Sequence, residues 1–189
     1  MKRYKHVNLP HLVEIQKAVL EKLDKFYFKT TIFKVCSPDD FEIPLLVEAV
    51  ETIKPWSEVV HVSVISQEPF VHKNSDRNIH QDVMSLTERG QEQPVCLNIP
   101  IYNCEETYVA IYKQLQDPYL YRGTYPNGHT WEAWHWRKGG VEEIDKLYLH
   151  TPALFYTQMP HGIINETKNV RIIISVRFST PIDLETFEY

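Results

Sequence analysis

From Glu58 to Ser179 the sequence is a succession of short segments rich in β-branched and aromatic residues. They run over 58–66, 77–84, 94–102, 107–115, 119–125, 130–136, 153–165 and 169–179, and Asn, Gly, Pro or charged clusters separate them. No long helical segment intervenes. Strands that short, spaced that regularly, bury their apolar faces by closing into an antiparallel sandwich or barrel. The stretch VEEIDKL at 141–147 predicts one or two helical turns among them.

The first 55 residues have a different texture. Leu12, Ile15, Val19, Leu20 and Leu23 recur at helical spacing and predict a helix over 9–26. A second helix is predicted over 37–53, with Ser37 as a cap. Pro44 breaks it or delays its start to near Leu45. The 189-residue chain therefore reads as one domain, with helical support over 1–55 and a β core over 56–180.

Composition excludes several classes of function. Net charge is −5 and no basic stripe appears, which disfavours a nucleic-acid partner. There are only 6 glycines, and neither GxGxxG nor GxxxxGK[ST] occurs, so phosphate-cradling loops of those types are excluded. No apolar run is long enough to span a membrane and no signal-type segment opens the chain, which predicts a cytoplasmic protein. Cys36, Cys96 and Cys104 show no CxxC spacing, which suits free thiols in a reducing compartment.

The chemistry-bearing pattern begins at NIHQDV, where His80 and Asp82 are two positions apart. On a strand such residues face one side, about 6.6 Å apart, and can both reach a divalent metal. A third ligand has to come from another strand. Among the 9 histidines His161 is the best placed, between Pro160 and Gly162 at a strand end. His135 is a weaker alternative ligand, and His61 reads as structural. In the last strand Ile172, Ile174, Val176 and Phe178 form a wholly apolar face. The opposite face carries Arg171, Ile173, Ser175 and Arg177, which suits arginines reaching into a cavity to grip a carboxylate. Trp131, Trp134 and Trp136 are packing residues or walls of a substrate pocket. Residues 88–93 read as a loop at the barrel mouth, a hairpin turn or a lid.

His-x-Asp, a second His about eighty residues on and an Arg ten residues further resembles the iron(II)- and 2-oxoglutarate-dependent oxygenases. The stretches LNIPIYN and TYVAIY are similar in texture to small microbial and phage members of that superfamily. The resemblance runs from about Val59 to Phe178. It implies a mainly β fold, the double-stranded β-helix (a cupin-like jelly roll), with the N-terminal helices packed outside. It implies that His80, Asp82 and His161 hold Fe(II) as a facial triad, leaving positions for 2-oxoglutarate and O2. An Asp in the triad argues against halogenation.

Arg171 is favoured over Arg177 for the distal carboxylate of 2-oxoglutarate. Ile173, two positions after Arg171, departs from the Ser or Thr often found there, whereas Arg177 is followed by Phe178 and Ser179. Tyr112 and Asn98 are candidates to support the co-substrate. The implied activity is hydroxylation of a small molecule or a protein side chain. The competing reading is a non-oxygenase cupin-like protein, an isomerase or a sugar-binding or structural jelly roll. The missing HxH ahead of the central strands counts against it.

Overall fold

A computed structural model of the chain describes residues 2–23, 29, 31–41, 43–71, 79–84, 86–124, 128 and 130–188. Two six-stranded antiparallel sheets face each other. The first is ordered β1 (Tyr4–His6), β12 (Ala153–Tyr156), β7 (Val95–Tyr102), β14 (Arg171–Phe178), β3 (Val59–Gln67), β2 (Ile32–Cys36). The second is ordered β11 (Val141–Tyr148), β8 (Tyr108–Gln114), β13 (His161–Ile164), β4 (His80–Asp82), β10 (Thr130–His135), β9 (Tyr119–Thr124). A small hairpin pairs β5 (Leu86–Thr87) with β6 (Gly90–Gln91).

The connectivity defines the fold class. From β3 the chain crosses to β4 in the second sheet, returns to β7, crosses to β8, and turns back beside it as β11. It then returns to β12, crosses to β13 and finishes at β14. This is the double-stranded β-helix that the resemblance implied. Strands β9 and β10 are a hairpin inserted between β8 and β11, and they extend the second sheet past β4.

The period of two in β14 sets the two layers of core. Ile172, Ile174, Val176 and Phe178 pack outward with Val62, Val64, Leu97 and Ile99. They meet Ile15 and Val19 of α1 (Leu12–Lys22) and Leu46, Ala49 and Val50 of α2 (Pro44–Glu51). The helices thus lie on the outer face of the first sheet, and Gln16 Nε2 ties α1 to the Pro100 carbonyl at 2.9 Å. The inner layer lies between the sheets. There Cys96, Phe155 and Ile173 from the first sheet pack with Val109, Ile111 and Leu147 from the second.

Four local expectations change. Residues 141–148 are a strand, not helical turns, because pairing along the whole of β8 overrides the local charge pattern. The expected strand over 153–165 is two, since the chain leaves the first sheet at Thr157 and enters the second at His161. The segment over 1–55 also supplies edge strands β1 and β2 to the first sheet. The second helix takes the delayed start, at Pro44, whose missing N–H costs nothing in a first turn. Ser37 caps a separate 3-10 turn at Pro38–Asp40 instead. Residues 24–26 of the expected first helix, and 77 and 78 of the expected strand at NIHQDV, lie outside the described residues.

Candidate metal centre

His80 and Asp82 lie on β4, in the middle of the second sheet, and their side chains face inward. His161 opens β13 directly opposite His80, with ring centroids 4.5 Å apart. The candidate ligand atoms of the three residues all fall within 4.8 Å of one another. His80 Nε2 is 3.4 Å, and His161 Nε2 3.8 Å, from Asp82 Oδ1.

The donor chemistry fits a divalent cation. His161 Nδ1–H donates to the Met159 carbonyl at 2.8 Å, which fixes the ring and leaves the Nε2 lone pair facing Asp82. Burial, then the neighbouring His80, pushes the His161 pKa down to about 4, so the ring is neutral at physiological pH. Arg177 and the two histidines hold the half-buried Asp82 carboxyl well below the usual range, against the cost of its desolvation. Two imidazoles and one carboxylate are a hard-to-borderline donor set suited to Fe, Mn, Co or Zn.

The turn between β12 and β13 fastens each part of this arrangement. The Thr157 hydroxyl accepts from Arg177 Nη1 at 3.3 Å, while its own proton goes to the Pro94 carbonyl at 3.0 Å. Gln158 Nε2 donates to the Asp82 carbonyl at 2.8 Å, and Gln158 Oε1 accepts from Gln81 at 2.9 Å. Met159 supplies the acceptor for His161. Sequence reasoning passed over Thr157 and Gln158, because nothing local marks a turn that closes on a strand some 75 positions earlier.

The two arginines of β14 both point inward, with different surroundings. Arg177 Nη2 binds Asp82 Oδ2. Arg171 is 1% exposed, and its Nε, Nη1 and Nη2 atoms have no hydrogen-bond partner among the described residues. Burial pushes its pKa down, and the group interacting with it most is the Cys104 thiol, itself pushed up by burial and so uncharged. Between the arginines the inner face carries Ser175, opposite Ser63 on β3 and Asn98 on β7. The Ser63 hydroxyl is buried without a partner.

Asn98 therefore joins the inner face, where its Oδ1 accepts from Cys96 Sγ at 3.5 Å. Tyr112 does not. On β8 Val109 and Ile111 point inward, so Tyr112 points outward and packs with Ile79, Ala110 and Trp136. Strand parity forbids it any contact with the triad. Trp136 is buried on that same outer face, and Trp134 shares it opposite Gln81. The Trp131 side chain lies outside what is described.

Tyrosines of β9 share the inner face with His135, whereas Trp134 and Trp136 do not. Tyr119 pairs with His135, which pairs with His80, so one inward row runs Tyr119, His135, His80, His161. The His135 ring stacks on His80 at 5.7 Å and sits 5.0 Å from Tyr121. Tyr119 and Tyr121 are about 40% exposed. Their alternation in YLY was the available signal. His61 forms a buried pair with Glu92, Nδ1 to Oε1 at 3.2 Å, which places the 88–93 stretch against β3 at its Glu92 end.

Fold and site together define a double-stranded β-helix protein with a candidate His-Asp-His metal site. The chain matches no family model and no curated protein. Among solved structures it is similar to a Trp-to-Tyr variant of the oxalate decarboxylase of Bacillus subtilis, with a TM-score of 0.34 and 8% identity over 84% of this chain. The match spans 28% of that enzyme's chain. No helix among the described residues is long and apolar enough to cross a membrane.

Proposed function

We propose that the protein is an Fe(II)- and 2-oxoglutarate-dependent oxygenase that hydroxylates a small molecule or a protein side chain. The observation that carries this reading is Arg171, a buried guanidinium with no partner among the described residues, on the inner face that also meets the triad. A buried unpaired cation costs several kcal/mol, and a fold retains one where a ligand of opposite charge completes it. A dicarboxylate that reaches the metal centre with one end and Arg171 with the other supplies that charge. The guanidinium would grip the distal carboxylate through paired N–H donors. On the same face, beyond Ile173, stand Ser175 and, opposite it, Ser63 and Asn98, and the Ser63 hydroxyl is buried with no partner among the described residues. A purely structural jelly roll offers no reason for such an arginine, whereas a cupin-like enzyme with an anionic substrate would use it too.

When bound, Fe(II) supplies the redox chemistry that couples oxidative decarboxylation of 2-oxoglutarate to hydroxylation of a C–H bond. The chain's own part is positioning. His80, Asp82 and His161 hold the cation from one side, and Arg171 sets the direction from which the co-substrate enters. The inner face toward β9 presents Tyr119, Tyr121, Ala133 and His135, with no formal charge at the pH where His135 is neutral. It favours a substrate that offers an uncharged, flat or apolar group to those rings.

The test is anaerobic titration of the purified protein with Fe(II) and 2-oxoglutarate. A weak charge-transfer band in the green is expected for wild type and its loss for His80→Ala. Wild type that binds Fe(II) without developing the band with 2-oxoglutarate refutes the oxygenase reading and leaves a cupin-like metal protein.

A further inference from the structure

The Asp82 carboxylate is divided between two tasks. Its Oδ1 atom faces His80 Nε2 and His161 Nε2 at 3.4 and 3.8 Å, while Oδ2 is taken by Arg177 Nη2. Arg177 comes from the opposite sheet and is itself only 8% exposed. Its placement is determined from several sides. Thr157 accepts from Nη1 at 3.3 Å. His61 and Cys96 flank Arg177 on the adjacent strands. Glu92 is buried, pairs with His61 and acts on Arg177 by its charge. A chain of contacts thus runs from the end of the β5–β6 hairpin, through His61–Glu92 and Arg177, to the metal-facing carboxylate.

We propose that Arg177 is a positioning residue that keeps Asp82 monodentate, and that the Glu92–His61 pair holds Arg177 in that role. A free carboxylate beside a divalent cation can turn to offer both oxygens. With Oδ2 committed to a guanidinium, only Oδ1 is offered, so the triad contributes three donor atoms and three of six octahedral positions stay open. A chelating co-substrate and a third reactant need all three. The two arginines of β14 then divide the work: Arg177 serves the metal ligand, and Arg171 is left for the incoming acid. The inference rests on the metal-centre part of the function proposed above and not on the oxidation itself.

The test uses Mn(II) alone, with no co-substrate. Water-proton relaxation at saturating Mn(II) counts the exchangeable waters on the bound ion. In Arg177→Leu the relaxation enhancement per bound ion is expected to fall by about one third, as a second Asp82 oxygen takes one position of three. Arg177→Lys, which keeps a cationic donor, is expected to restore most of it. A merely structural arginine would leave the water count unchanged once Mn(II) is bound. An unchanged enhancement in Mn(II)-loaded Arg177→Leu overturns the proposal while the oxygenase reading stands. Glu92→Gln covers the case in which Arg177→Leu does not fold. It is expected to move the enhancement in the same direction, and a wild-type value there also overturns the proposal. Wild type that takes up no Mn(II) overturns both readings.

Discussion

Arg171 and Arg177 stand on one face of one strand, and one is paired while the other has no partner among the described residues. Arg177 is bound to Asp82 and Thr157 across the sandwich. All three guanidinium nitrogens of Arg171 are buried with no partner among the described residues. The same residue type, equally inward, is structural support in one place and an unfilled binding position in the other. Stability and ligand binding should therefore pull in opposite directions at Arg171.

Replacing Arg171 with Met removes an uncompensated buried charge and keeps most of the side-chain volume. The ligand-free variant is expected to be more stable than wild type, by about 1–4 kcal/mol. Added 2-oxoglutarate should raise the Tm of metal-loaded wild type and leave that of Arg171→Met unchanged. A variant that is destabilised yet still responds to 2-oxoglutarate would remove Arg171 from the site. Thermal melts with and without the co-substrate read both effects.

Gln158 should matter to the metal more than to folding. Gln158→Ala deletes the bond to the Asp82 carbonyl and the contact with Gln81. Metal affinity is expected to fall by about tenfold, in line with other outer contacts of metal ligands, while stability falls by about 1 kcal/mol. Calorimetric titration with Co(II), set beside urea unfolding, separates the two.

Acid should destabilise the metal-free protein over a defined window. Burial pushes both His135 and His161 down to about 4, from an ordinary value near 6.5. Between those values the unfolded chain binds more protons than the folded one, so stability rises with pH. It is fully present above about 6.5 and is lost as pH falls toward 4. In mid-window the slope should approach roughly 1.4 kcal/mol per pH unit for each histidine. His135→Phe should halve it. Urea midpoints at pH 4.5, 5.5, 6.5 and 7.5 give the slope, and a flat profile would contradict the burial of these rings.

Asn165 is expected to be among the costliest single positions outside the site. It is fully buried, and its Nδ2 donates to the carbonyls of Gln67, Glu68 and Asn169 at 3.3, 3.0 and 2.9 Å. Its Oδ1 accepts from the Thr167 hydroxyl at 2.8 Å. These bonds pin the end of β3 to the connection that leads into Arg171. Asn165→Ala should cost about 1–3 kcal/mol by removing these hydrogen bonds of a buried side chain to carbonyls that are only part-buried. It should weaken 2-oxoglutarate binding as well, whereas Thr186→Ala at the surface should do neither.

Much of this site was legible in residue order. His80 and Asp82 fall on one strand two positions apart, and a period of two allows only one outcome for their direction. The alternation in RIIISVRF likewise separates an outer apolar face from an inner polar one before any partner is known. Tyr112 shows the limit. Its strand was placed correctly, but which face looks inward depends on which neighbours cover β8, and a shift of one residue reverses the answer. The strand at 141–148 failed as a helical expectation for a related reason. Its charged pattern is locally ambiguous, and only β8 beside it settles the matter.

The sequence by itself determined the β texture, the helices at the N-terminal end, and the three residues able to share a cation. Each follows from periodicity and residue chemistry that act over a few positions. Tertiary structure alone decided that Arg177 closes on Asp82 while Arg171 stays bare, and that Thr157, Gln158 and Met159 reach back to strands far away in the chain. It also decided that Tyr119 and Tyr121, and not Trp134 or Trp136, extend the row beyond His80. Those outcomes depend on which strands become neighbours across and between two sheets. Non-local pairing of that kind is set by how the whole chain closes around its core, and no local window of sequence contains it.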